Sequence, residues 1–237
     1  MHRVEHFPTQ ESRWFSPLLQ RHAIPHWFSR NNPPPPELIA IRLAEEPARP
    51  ARARQVHGSR WVHGRDCLGG VLPDADSIIT DDPLLVPIVS TADCAPILIA
   101  CTATNTCAAI HAGWRGIALD ILGETVRALV EEFGADPISM IAAIGPCASA
   151  SRYEVGRDVI EAFRERGLEQ ALRFSPLPGK AYADCAGAAR ILLQRCGIGP
   201  ESIECDPPCT ITDTSFSSHR REPLNKARMF SAIAIPK

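Results

Sequence analysis

Residues 85–134 read LVPIVSTADCAPILIACTATNTCAAIHAGWRGIALDILGETVRALVEEFG, and this stretch decides the fold class. Three short apolar runs rich in β-branched residues, Leu85 to Val89, Ala95 to Ala100 and Cys107 to Ile110, read as strands. Thr102 to Thr106 is the polar connection between the last two. Both flanking runs are almost continuously apolar, which predicts strands covered on both faces. A helix follows at once. Ile117, Ile121, Leu122, Val126, Leu129, Val130 and Phe133 recur at helical spacing, and Gly134 is placed to end it.

Working outward, a second helix is expected from Tyr153 to Arg166. Ser151 and Glu154 resemble a capping box, Val155, Val159, Ile160 and Phe163 supply the buried stripe, and Gly167 closes it. A third is expected from Asp184 to Cys196, closed by Gly197, with further strands at Met140 to Ile144 and Met229 to Ile235. The stretch up to Pro50 reads as loop-rich, because the run Pro33 to Pro36 cannot continue a helix or a central strand. No internal repeat and no long linker interrupts the chain. Mixed strands and helices without a break imply an α+β or α/β architecture in a single domain, residues 1–237.

Composition narrows the functional class. The 237 residues are 45% apolar and 22% charged with a formal charge of −2, which suits a globular chain and offers no basic footprint for nucleic acid. The densest basic cluster, Arg49, Arg52, Arg54 and Arg60, reads as a solvated surface segment. Met1 to Gln20 has no signal-peptide pattern, and no apolar run approaches the ~20 residues of a membrane span. Nine cysteines, an odd number, do not suggest a secreted disulfide framework. Cytoplasmic placement is therefore expected, with Cys101, Cys107 and Cys196 as small core residues.

Three chemically useful residues lie at the ends of these elements. His57 sits in Gln55-Val56-His57-Gly58, where the glycine permits a tight turn; Cys94 lies between two strands; His111 ends a strand. Two imidazoles and a thiolate are good zinc ligands and leave a fourth tetrahedral position open for catalysis. Spacing alone also admits satisfied strand-end histidines and a buried small cysteine. After His111, a glycine-containing turn opens the long helix, so Gly113 and its neighbours offer backbone N–H groups, and Arg115 a guanidinium, to an anion such as phosphate. The turn matches neither the P-loop nor the GxGxxG pattern.

These segments resemble the YfiH family, also called the laccase-domain or multicopper polyphenol oxidoreductase family and associated with purine nucleoside phosphorylase activity. The resemblance lies in residues 55–58, 74–80, 91–96, 111–116, 144–147 and 153–156, with weaker matches at 26–30, 209–210 and 216–221. It implies a single α+β domain with mixed β-sheets packed between helical layers. It also implies His57, Cys94 and His111 as metal ligands, with zinc the expected ion and copper the lesser alternative. The activity it implies is phosphorolysis of adenosine, inosine and methylthioadenosine, with deamination of adenosine. Two positions depart from the family pattern: His219 replaces its usual aromatic, and Ala227-Arg228 replaces Gly-Arg.

On that reading Arg115 and Arg30 neutralise phosphate, and Asp93 or Glu154 serves as general acid or base. The expected partners are a purine nucleoside and phosphate, without nucleic acid or membrane, acting on a monomer. Two rival readings use the same residues. In a cysteine hydrolase, Cys94 is the nucleophile and His111 or His57 the base. In a non-catalytic zinc protein, Cys147 or Cys209 closes the fourth position. A multicopper laccase is disfavoured, because the eight histidines include no His-x-His pair.

Overall fold

The Ala95–Cys101 and Thr106–Ala112 strands pair antiparallel through their full length, from Ala95 opposite Ala112 to Cys101 opposite Thr106. In the computed structural model, which describes residues 13–45 and 47–236, they are the centre of a six-stranded sheet. Met140–Ile144 and Ser77–Thr80 flank them antiparallel, while the edge strands Ile203–Glu204 and Trp61–His63 run parallel to their neighbours. Every residue of the two central strands is buried, as the apolar runs within them require.

Alternation along these strands sends successive side chains into different cores. Ile97, Ile99 and Ile110 meet Ile121, Leu122 and Leu129 of the Ile121–Phe133 helix and Ala189 and Leu193 of the Cys185–Arg195 helix. Leu98, Ala100, Cys107 and Ala109 face the opposite way, onto Phe28, Val89 and Ile233. Those residues belong to a second, five-stranded sheet built from Arg13–Trp14, His26–Ser29, Met229–Ile233, Leu85–Thr91 and Arg49–Ala51 in that order. The outer face of this sheet, with Trp27, Ile88 and Ala232, is covered by Ile39, Ala40 and Ala44 of the Pro36–Ala44 helix. The architecture is thus α+β, two mixed sheets face to face between helical layers, as the family resemblance implies. No described helix is long and apolar enough to cross a membrane.

Three expectations are corrected. The long helix is broken: Trp114–Ala118 stops, Asp120 adopts a left-handed φ of 67°, and its side chain caps the Gly123 amide at 3.2 Å to start a new helix at Ile121. Gly134 ends that helix with a φ of 67°. Ser151 and Glu154 form no capping box. Glu154–Val155 pairs antiparallel with Ala181–Ala183, and the helix begins only at Arg157, after Gly156; a distant strand outcompetes the local cap. Among the described residues, the segment before Pro50 is not mostly loop either. His26–Ser29 is a wholly buried strand, and Pro36 opens a helix at its first position, where the missing N–H costs nothing. Pro50 lies on an edge strand, the place a sheet tolerates it. The first twelve residues, where no signal peptide is expected, lie outside the described residues.

Candidate metal centre

Asp76 organises the site. Its Oδ1 accepts from the His57 amide at 3.0 Å and is 2.8 Å from His111 Nδ1. Its Oδ2 accepts from the amides of Val56 at 3.2 Å and Gly58 at 2.7 Å. Buried at the start of the Ser77–Thr80 strand, it ties the His57 turn to the His111 strand, and its own carbonyl accepts from the His111 amide at 2.7 Å. Burial alone raises a carboxyl pKa; here these hydrogen bonds outweigh it and hold Asp76 below its ordinary value. With Nδ1 engaged by a carboxylate, His111 has Nε2 left for a metal, the arrangement that orients ligating histidines.

His57 itself, rather than the neighbouring Gly58, takes the left-handed conformation of its turn, with φ 59°. Cys94 follows Asp93, whose φ is 87°, directly before the Ala95–Cys101 strand. The potential ligand atoms of His57, Cys94 and His111 all lie within 4.8 Å of one another, with Cys94 Sγ 4.0 Å from His57 Nε2. The imidazoles meet nearly edge-on, at 80° with centroids 4.8 Å apart. Burial opposes ionisation of Cys94, but hydrogen bonds from His111 and His57 lower its pKa to about 6. Burial likewise opposes a charge on His111, yet Asp76 and Cys94 raise it to about 9. Gly113 keeps this space open: a Cβ there would lie 3.0 Å from His57 Cδ2 and 3.1 Å from Cys94 Sγ. The donor set, two nitrogens and a thiolate around an open cradle, fits a divalent metal such as zinc. Among the described residues no other group of three or more potential ligands gathers in this way. Cys147 and Cys209 are paired with each other by a backbone bridge and do not join it.

The cluster opens into a cavity of about 290 Å3. Gly113, Arg115 and Asp93 line it. Arg115 stacks over Trp114 at 4.3 Å, and the five-residue helix behind it supplies a far smaller dipole than the long helix expected. Both carboxylate oxygens of Asp93 are engaged, Oδ1 by the Thr210 hydroxyl and Oδ2 by the Arg220 amide, each at 2.6 Å. Glu154 lies off the cavity lining, its carboxylate accepting from Ser175 and its carbonyl from Arg220. Arg30 is also off the lining: it pairs with Asp213 at 3.7 Å, donates to Ser215 and stacks on Phe216, bracing the loop that carries His219 and Arg220. Tyr153, His219, Arg220 and Cys185 complete the wall, with the Arg220 guanidinium 4.9 Å from the Tyr153 ring centroid. None of these four, nor Asp76, was assigned a role from sequence. Asp76 reaches His111 only through the sheet, where pairing of Ser77 with Ile110 brings the preceding carboxylate beside it.

Comparison with known proteins places this geometry in a family. The model of the multi-copper polyphenol oxidoreductase laccase family matches residues 37–236. The chain belongs to this family. Among its relatives, a Xylella fastidiosa protein named purine nucleoside phosphorylase is 39% identical over 200 residues, covering 82% of this chain and 75% of its own length. A protein named adenosine deaminase RL5, from an unknown prokaryotic organism, is 34% identical over 168 residues, 68% of this chain and 63% of that protein. The crystal structure of the Neisseria meningitidis protein NMB0706 superposes with a TM-score of 0.78 at 30% identity, covering 91% of this chain and 95% of that one. In this member of the laccase family, the described residues provide one three-ligand cluster.

Proposed function

We propose that this protein is a zinc-dependent purine nucleoside phosphorylase. It cleaves adenosine, inosine and methylthioadenosine with phosphate, giving the free base and the ribose 1-phosphate or methylthioribose 1-phosphate, and it deaminates adenosine as a second activity. The observation that carries this reading is the His57, Cys94 and His111 cluster with its open side on a cavity flanked by Arg115 and Arg220. The relatives' names give the substrate class.

His57, Cys94 and His111 hold the ion, and Asp76 fixes the His111 ring for it. When bound, zinc would supply Lewis acidity, and two nitrogens and one sulfur suit it better than a laccase copper set. Arg115 and Arg220 receive the phosphate by charge-assisted hydrogen bonds and hold it against the ribose C1′. As the C1′–N9 bond breaks, the departing purine needs a proton at N7. Asp93 is fully occupied by Thr210 and Arg220, and burial pushes the Tyr153 hydroxyl and Cys185 thiol away from easy ionisation. His219, exposed on the cavity rim, is the remaining side chain suited to donate that proton.

A cysteine hydrolase remains the second reading, favoured by the thiolate character of Cys94 beside a protonated His111. Incubating the protein with adenosine, with and without phosphate, and separating the products by chromatography tests the proposal. Adenine formed only with phosphate supports phosphorolysis, and inosine formed without it supports deamination. If neither forms, the nucleoside reading falls.

A further inference from the structure

We propose that Cys147 and Cys209 are a peroxide-oxidisable thiol pair, in which Cys209 reacts first and Cys147 resolves it into a disulfide. The two segments meet in an isolated parallel bridge that sets these cysteines directly opposite each other. The Cys147 amide donates to the Pro208 carbonyl at 3.2 Å, and the Thr210 amide to the Cys147 carbonyl at 3.0 Å. Paired strands lie about 4.8 Å apart, within the ~4.4–6.8 Å Cα window of a disulfide, and directly opposed residues project to one face. Both thiols are free, and neither belongs to the metal cluster.

Their surroundings divide the roles. Cys209 is half-buried and Cys147 buried. Burial raises the Cys209 pKa, but hydrogen bonds from Ser149 and Thr212 outweigh it and bring it down to about 7. Burial pushes the Cys147 thiol well above its ordinary value. The more accessible, more acidic thiol meets the oxidant, and the buried one waits behind it. Cys205, which lines a small cavity together with Cys147, and Cys185, whose thiol acts on Cys147, are the competing partners, but burial pushes the Cys205 thiol up to about 11 and the Cys185 thiol higher still.

The chemistry balances with hydrogen peroxide as oxidant. The Cys209 thiolate attacks one peroxide oxygen, the O–O bond breaks, and hydroxide leaves to become water. The Cys147 sulfur then attacks the Cys209 sulfenic sulfur, giving up its proton as the S–O bond breaks and a second water departs. Two thiols lose two electrons and two protons. The residues following each cysteine both hold Asp93: the Ala148 amide bonds its carbonyl at 2.9 Å, and the Thr210 hydroxyl its carboxylate at 2.6 Å. A disulfide here locks together the two segments that seat Asp93 beside Cys94.

The test treats fully reduced protein with equimolar hydrogen peroxide, blocks remaining thiols with N-ethylmaleimide and digests with trypsin. The expected product is residues 128–152 disulfide-linked to residues 196–220, absent in Cys209→Ser and retained in Cys205→Ser. Absence of the linked peptide from wild type overturns the proposal. So does its survival in Cys209→Ser or its loss in Cys205→Ser. Cys209 lies on a half-buried surface segment, so its serine variant is read as folded protein by the unchanged urea midpoint of the reduced state.

Discussion

Replacing Asp76 by Asn removes a charge while keeping the shape, and the structure sets the cost. Oδ1 serves the His57 amide and His111, and Oδ2 serves the amides of Val56 and Gly58. An asparagine has one acceptor oxygen, so in either orientation its NH2 confronts two of these donors. A buried hydrogen bond to a charged acceptor is worth about 1.5–3 kcal/mol, so losing two costs about 3–6 kcal/mol before local relaxation. With a urea dependence of about 3 kcal/mol per molar for a chain of this size, the unfolding midpoint falls by about 1–2 M. The carboxylate also fixes His111 with Nε2 free for the ion, so zinc affinity should fall about 10–100-fold. Urea titration followed by far-UV circular dichroism reads the first effect, and competition with a chromophoric chelator reads the second. A variant with the wild-type midpoint and wild-type zinc affinity refutes the reasoning.

Other perturbations separate the metal cradle from the fold. Gly113→Ala places a methyl 3.0–3.1 Å from His57 and Cys94; zinc affinity should drop at least tenfold while the chelator-treated protein keeps its unfolding free energy within about 1 kcal/mol, and equal zinc affinity speaks against a tight cradle. Metal affinity should also depend on pH in a defined sense. Without metal, Cys94 is ionised above about 6 and His111 protonated below about 9, whereas both must be bare to bind. Between pH 6 and 9 binding therefore releases one proton from this pair and strengthens about tenfold per pH unit; below 6 it releases two and the slope doubles. Chelator competition from pH 5 to 9.5 checks this, and a flat profile contradicts it. His219→Phe should slow cleavage of inosine about 10²–10⁴-fold, the usual worth of a general acid. It should spare 7-methylinosine, whose base leaves without protonation, and His219→Tyr should recover part of the loss; equal effects on both substrates exclude a proton-donor role.

The central strands and the three helices behind them were legible because their signals are local. Unbroken apolar runs mean two-sided burial, and the stripe ending at Phe133 leads to a left-handed Gly134. The break at Asp120 is local, made by its left-handed backbone and its cap on Gly123; the other errors come from long-range pairing. Glu154–Val155 is a strand only because Ala181–Ala183 lies beside it, and His26–Ser29 only because Met229–Ile233 does. The cluster of His57, Cys94 and His111 could be proposed from family resemblance, but spacing spread over more than fifty residues could not bring them together. Sheet pairing does that, through Pro96 opposite His111 and Ser77 opposite Ile110. Arg30 illustrates the converse. Its charge suggested phosphate binding, yet Asp213, Ser215 and Phe216, far along the chain, occupy it.

The proposed function requires a metal held by His57, Cys94 and His111 to drive phosphate-dependent cleavage of a purine nucleoside. Its most direct test strips the protein with a chelator and titrates zinc back while following hypoxanthine release from inosine in phosphate buffer, beside Cys94→Ala. The expected result is no release from stripped protein, recovery that saturates at one zinc per chain, and none in the variant at any zinc level. Full activity in the stripped protein, or recovery in Cys94→Ala, would contradict it.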